Sequence, residues 1–411
     1  MTLLALLSSL LASTIATLPL PPGAKAEAAA LADLDGDGAR DLIIATGTRG
    51  RDFERSLRIF RRRPGAAPFA PEPDLALPVP RNVTAFAAGD VLPAPGEELV
   101  LFTEDGAFAW RVFEPDATPE RILAADFLWQ VPRPREVFAF PAALADFDGD
   151  GRADLLLPEP GGYRAAARGT GDRAFAASSR LVLPRPETAA EAEAEQPENS
   201  RRERFRRFRL QLLSGGEEGV ETIEVSNAVP VPALADFDGD GLPDVVVQSG
   251  GMLLVYRQRR GAGFPEVPDL ALRLPLDVDR GRRFDMAFGT HARDLDGDGR
   301  ADFLLLAGDR RSRDVRTQVL VYTAERGSPP GALFPEDGAP SQALFVSGFA
   351  RALELPDVDG NGLPDLVLGA LRADPRDALR AMTQGNIEID LTVYLNTAGR
   401  FGAQPALALP V

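Results

Sequence analysis

The sequence predicts an all-β fold assembled from repeats, and three observations carry that prediction. One acidic nonapeptide recurs five times along the 411 residues. An apolar, β-rich run follows every copy at once. In most units, a further strand closing on an aromatic residue comes about ten or more residues later. Self-similarity at a period of about 58 residues marks a repeat architecture, which has to be settled before domains are counted.

The nonapeptide reads DLDGDGARD from Asp33, DFDGDGRAD from Asp146, DFDGDGLPD from Asp236, DLDGDGRAD from Asp294 and DVDGNGLPD from Asp357. A degenerate copy, DVLPAPGEE, starts at Asp90 and keeps only the first acid and a final Glu98. Successive starts lie 57, 56, 90, 58 and 63 residues apart. A small apolar segment leads into the loop, as in Phe140 to Ala145. The strand after it is LIIAT from Leu42, LLLP from Leu155, VVVQ from Val245, FLLLA from Phe303 or LVLGA from Leu366. The next strand ends in an aromatic: LRIF from Leu57, LLVY from Leu253, VLVY from Val319, LTVY from Leu391. A last apolar strand closes the unit, such as DLALPVP from Asp74, DLALRLP from Asp269 and ALALP from Ala406. Four short strands per unit, separated by Gly/Pro turns, are what the blades of a β-propeller require.

The expected fold is therefore a β-propeller of four-stranded antiparallel blades, forming one domain over residues 17–411, with an acidic loop between the first and second strands of a blade. The 90-residue spacing holds a polar, charged insertion at about 187–222, with five Glu before Arg201, Arg202 and Arg204. A hairpin over FRLQLLSGGEEGVETIEV, from Phe208, is appended to it. Six blades account for the chain. A seventh, degenerate blade in the insertion is the alternative.

Composition bounds the chemistry. Zero Cys excludes disulfides, thiolate metal sites and a thiol nucleophile. A single His excludes multi-His metal sites and confines any Ser-His-Asp scheme to His291. The formal charge of −16 argues against nucleic acid, whose phosphates need Lys and Arg. Cations remain as the natural ligand.

Acids at positions 1, 3, 5 and 9 of the nonapeptide offer oxygen alone, at a density that suits calcium better than magnesium, which keeps its waters. Gly at position 6 supplies the positive φ needed to fold a chain around an ion, and position 7 is expected to present its carbonyl. An EF-hand needs Glu at position 12 and a following helix. Position 12 here is Ile44, Leu157, Val247, Leu305 and Leu368, all within expected strands, which excludes that motif.

These residues resemble the FG-GAP/VCBS repeats of integrin α-chain propellers and many bacterial surface proteins. The resemblance covers about residues 17–411. It implies about five structural calcium ions, held by Asp33, Asp35, Asp37 and Asp41; Asp146, Asp148, Asp150 and Asp154; Asp236, Asp238, Asp240 and Asp244; Asp294, Asp296, Asp298 and Asp302; and Asp357, Asp359, Asn361 and Asp365. The Asp90 copy departs too far and is expected to hold none. Phe288-Gly289 is the best remnant of the FG signature.

The resemblance further implies a non-enzymatic binding or adhesion module. A lectin is the alternative, and a propeller-fold glycosidase or polysaccharide lyase is a further one. Sugar stacking favours aromatics, yet only two Trp and four Tyr are present, and Tyr256, Tyr322 and Tyr394 hold the repeated strand position. The expected partner is a protein or a glycan, with no catalytic residue and no membrane span. Residues 3–16 form an apolar run too short to span a bilayer and suited to a secretory leader, giving a signal peptide at 1–16 and an exported chain: periplasmic, secreted or cell-surface. His291 is read as structural. The arginines from Arg201 to Arg209 are read as a solvated segment, and Arg372 to Met382 as a short surface helix.

Overall fold

The computed structural model describes residues 18–48, 54–65, 68–93, 95–103, 105–124, 138–140, 143–159, 161–168, 175–184, 209–214, 221–226, 232–249, 252–273, 287–309, 316–323, 339–371 and 389–410. The signal peptide expected at 1–16, most of the charged insertion and the surface helix expected from Arg372 fall outside them. The chain separates into two compact units: residues 1–229 with 259–267, and 230–258 with 268–411.

The first unit holds three blades. Blade 1 is β1 (Ala24–Ala32), β2 (Asp41–Thr48), β3 (Arg55–Phe60) and β4 (Leu75–Pro78). Blade 2 is β5 (Val83–Gly89), β6 (Glu98–Thr103), β7 (Gly106–Trp110) and β8 (Glu120–Ala124), with the short β9 (Phe138–Ala139) added in parallel beside β5. Blade 3 is β10 (Leu144–Ala145), β11 (Asp154–Glu159), β12 (Gly162–Arg168) and β13 (Phe175–Val182). The hairpin expected from Phe208 is present as β14 (Arg209–Ser214) paired with β15 (Glu221–Ser226).

The second unit also holds three. Blade 4 is β16 (Ala233–Ala235), β17 (Asp244–Ser249), β18 (Met252–Tyr256) and β19 (Leu270–Arg273). Blade 5 is β20 (Ala287–Arg293), β21 (Asp302–Asp309), β22 (Arg316–Tyr322) and β23 (Gln342–Ser347). Blade 6 is β24 (Phe349–Glu354), β25 (Leu366–Leu371) and β26 (Ile389–Tyr394), then a two-residue hairpin, β27 (Asn396–Thr397) with β28 (Arg400–Phe401), and finally β29 (Leu407–Pro410). Apart from the parallel β9, the strands within each blade pair antiparallel and each neighbours the next, β29 following β26 in blade 6. These are the six four-stranded blades the repeat requires, and no helix occurs among the described residues.

Burial explains the sequence pattern. Second strands lie under neighbours on both faces, so they read as continuous apolar runs; β6 is buried at every residue. Outer strands have one wet face and alternate, as in β4. The aromatics closing the third strands, Phe60, Tyr256, Tyr322 and Tyr394, are buried. Burial raises the Tyr256 hydroxyl pKa and pushes that of Tyr322 up to about 12. Each aliphatic or aromatic side chain buried this way contributes on the order of 1.5–3 kcal/mol. The first strands of blades 1, 2, 5 and 6 each carry a register shift, between Ala26 and Ala28, Val83 and Ala85, Ala287 and Gly289, and Ala350 and Ala352. Such bulges bend a strand and increase its twist, and here they recur just upstream of the loops that join first to second strands.

Residues 259–267, from the connection between β18 and β19, pack with the first unit. The Phe264 ring meets Phe147 edge-on at 5.0 Å between centroids, its N–H donates to Ser179 Oγ at 3.0 Å, and the Glu266 carbonyl accepts from Val182 N–H at 2.8 Å.

Candidate metal centres

The five nonapeptides all connect the first strand of a blade to its second, as expected, and they share one hydrogen-bond pattern. The position-1 carboxylate accepts the position-6 Gly N–H at 2.8–2.9 Å: Gly38 to Asp33, Gly151 to Asp146, Gly241 to Asp236, Gly299 to Asp294 and Gly362 to Asp357. Position 5 accepts the position-7 N–H at 2.7–2.9 Å, as Arg152 to Asp150 or Leu363 to Asn361. Each such closure needs a left-handed residue, and the position-6 glycines supply φ of 85–89°.

The position-9 acid is different in kind. It opens or immediately precedes the second strand and is buried in every loop. One of its oxygens accepts the position-2 N–H: Leu34 to Asp41, Phe147 to Asp154, Phe237 to Asp244, Leu295 to Asp302 and Val358 to Asp365. In blades 1, 4 and 6 the other oxygen accepts an N–H from just beyond the third strand, from Arg62, Gln258 and Asn396. Burial raises the Asp41 carboxyl pKa and pushes Asp244 up to about 7, against those hydrogen bonds.

These positions bring carboxylate oxygens together. One oxygen from each of Asp146, Asp148 and Asp154 lies within 4.8 Å of the others, and the same holds for Asp236, Asp238 and Asp244, for Asp294, Asp296 and Asp302, and for Asp357, Asp359 and Asp365. In blade 1 the converging set is Asp33, Asp35 and Asp37. Two oxygens on opposite sides of a calcium ion, each about 2.4 Å away, are separated by about 4.8 Å. An all-oxygen set at this spacing fits that ion. In blade 1 Asp37 joins the set and the expected Asp41 does not, whereas in blades 3, 4 and 5 the position-9 acid joins and Asp150, Asp240 and Asp298 do not. Asp298 is held at 3.1 Å by Arg300.

Arginines from the end of the third strand reach two loops. Arg61 Nε lies 3.5 Å from Asp35 and Arg257 3.7 Å from Asp238. Arg61 also stacks on Phe113 at 3.8 Å, at the edge of a groove of about 440 Å³ lined by Asp74, Leu75, Val112 and Glu114.

A second set of contacts was not visible in the sequence. The N–H at position 8 of one loop donates to the position-1 carbonyl of the loop before it: Glu97 to Asp33 at 2.7 Å, Ala153 to Asp90 at 2.9 Å and Ala301 to Asp236 at 2.7 Å. The acid-poor turn at 90–98 takes part on both sides. Asp33 N–H donates back to Glu97 Oε2 at 2.7 Å, and Gly96 approaches Gly36 so closely that an added Cβ would lie 3.1 Å from the Gly36 nitrogen. Leu92 stands where the other loops carry their second acid. Glu98 fills position 9, accepting from Val91 and Leu92 and pairing with Arg111 at 3.3 Å. Burial still raises its pKa.

His291 lies on β20 opposite Leu304, and burial lowers its pKa. The arginine-rich stretch contributes only Arg209, at the start of β14, to the described residues. No helix among those residues is long and apolar enough to cross a membrane.

Strands, loops and their spacing define a β-propeller protein with an acidic turn in five of six blades. Residues 236–305 match the FG-GAP-like repeat, a stretch that opens on the first Asp of the blade-4 loop and closes in the second strand of blade 5, so the resemblance read from the motif holds there. Among solved structures, a lectin of Agrocybe aegerita that recognises non-reducing terminal N-acetylglucosamine is 14% identical, with 94% of this chain and 90% of that chain covered and a TM-score of 0.37. A Bacteroides uniformis protein proposed to be a 6-phosphogluconolactonase is 10% identical, with 97% and 90% covered and a TM-score of 0.41.

Proposed function

We propose that this chain is an exported calcium-binding β-propeller acting as a non-enzymatic binding or interaction module, with calcium in a structural role. The observation that carries this reading is the convergence of three carboxylate oxygens within 4.8 Å in each of five loops that recur in phase. The ions would be held by the acids at positions 1, 3, 5 and 9, and they would supply positive charge where carboxylates otherwise repel. The chain's own residues do the rest: the glycines close the turn, and the buried position-9 acid ties the loop to its blade. Export rests on the apolar run at 3–16, and a protein or glycan partner on the family resemblance.

Calorimetric titration of metal-stripped full-length protein with calcium tests the metal, with several equivalents bound as the expected result and none as the result that removes the reading. Pull-down and glycan-array screens in calcium and in chelator test the module. Calcium-dependent capture of a protein supports adhesion, a sugar hit makes the protein a lectin, and turnover of a glycan overturns the non-enzymatic assignment.

A further inference from the structure

Resting on the calcium reading, we infer that Asn396 is a positioning residue that couples the acidic loops of blades 5 and 6, so that an ion in one loop strengthens the other's hold on its own ion. In three other pairs of neighbouring loops the link is a position-8 backbone N–H. In blade 6 that position is Pro364, which has no N–H to give. The Asn396 side chain supplies the link instead. Its Nδ2 donates to the Leu295 carbonyl at 2.7 Å and to the Pro364 carbonyl at 2.9 Å, one in each loop.

The residue is fully buried and all its polar groups are engaged. Its N–H donates to Asp365 Oδ1 at 2.7 Å, its carbonyl accepts from Asn361 Nδ2 at 3.0 Å, and its Oδ1 accepts from Gly399 N–H at 3.0 Å. Asp365 and Asn361 belong to the blade-6 acid set. Leu295 lies between Asp294 and Asp296, and its own N–H is held by Asp302 Oδ2 at 2.9 Å. The hairpin carrying Asn396 is itself packed on the blade-5 loop: Gly399 has φ of 81°, and a Cβ there would come within 2.9 Å of the Asp296 Cβ. One side chain thus touches the framework of both acid clusters. An ion that orders one loop fixes Asn396, and the second ion meets a loop already partly ordered, which is positive coupling.

The test is a thermodynamic cycle on the full chain, read by calcium calorimetry and by calcium-dependent melting. Asp294→Asn disables the blade-5 loop and Asp357→Asn the blade-6 loop. Either change is expected to weaken calcium binding at the remaining loop about fivefold or more. Asn396→Leu, with the same branched heavy-atom skeleton but without donors, should make the two changes additive. Should that variant not fold, Asn396→Ser retains a single hydroxyl donor and should lower the coupling; unchanged coupling there removes Asn396 from the role. Additive changes with Asn396 intact overturn the inference while leaving calcium binding in place. Absence of any calcium binding overturns both.

Discussion

The acid-poor turn at 90–98 and the blade-4 loop at 236–244 are built on the same frame with different occupants. Both bury a position-9 acid, Glu98 and Asp244, and both use it to hold the position-2 N–H. They part at positions 3 and 5. Blade 4 has Asp238 and Asp240 there, and Asp238 converges with Asp236 and Asp244. Blade 2 has Leu92 and Ala94 in sequence, and the charge of Glu98 is met by Arg111. The buried acid is therefore a fold element in its own right, and the outer acids are what a cation would add to it.

The largest expected effect bears on all five acidic loops at once. At about 1 mM calcium and a Kd of about 0.1 mM, each site stabilises the fold by roughly 1.4 kcal/mol. Excess chelator should lower the melting temperature by on the order of 10 °C or more; an unchanged melting curve would show that the acidic loops do not use calcium. Next comes the direct contrast. Asp244→Ala strands the N–H groups of Phe237 and Gln258 and removes a ligand, while Glu98→Ala strands those of Val91 and Leu92. Each should cost about 2–4 kcal/mol. Only the Asp244 loss should be greater in calcium than in chelator, and equal calcium dependence in the two variants would erase the distinction between frame and occupant.

Smaller effects sharpen it. Asp148→Asn leaves the frame intact, so about 1 kcal/mol should be lost in calcium and nothing in chelator, measured by denaturant titration. The pH dependence turns on Asp244. Its folded pKa of about 7 exceeds its unfolded value, so in chelator its contribution is greatest at acid pH and is lost as pH rises through about 7. Calcium requires the ionised form, so the calcium-induced rise in melting temperature should grow from about pH 5 to about pH 7.5, and Asp244→Asn should flatten that trend. His291 has the opposite sign. Burial lowers its pKa, so the stability tied to its neutral form is present above pH 6.5 and falls away below it. His291→Gln should reduce that acid-side loss slightly.

Much of this fold was legible because each signal was local. The second strands could be read from continuous apolar runs, since strands covered on both faces need no alternation. The phase of the blades followed from the nonapeptide, and Glu98 was visible as the remnant of a sixth copy. The links between loops were not legible, because Glu97, Ala153 and Ala301 act through backbone N–H groups that any non-proline residue supplies. Asn396 had a faint signal: it stands two residues beyond Tyr394, as Gln258 stands beyond Tyr256, and Pro364 marks the donor it replaces. Nothing in the motif indicated that Asp37 would replace the position-9 acid in the blade-1 set while Asp150 would not do so in blade 3, since both are the same residue type at the same position.

The placement of residues 259–267 bears on the order in which the chain can be finished. Phe147, Ser179 and Val182 receive their partners from a connection that follows them by about eighty or more residues. During synthesis the third blade leaves the ribosome before those partners exist, so the first unit waits, incomplete, for the middle of the fourth blade to emerge. A cut after residue 229 would release a fragment that lacks the Phe264 ring, the Phe264 N–H and the Glu266 carbonyl.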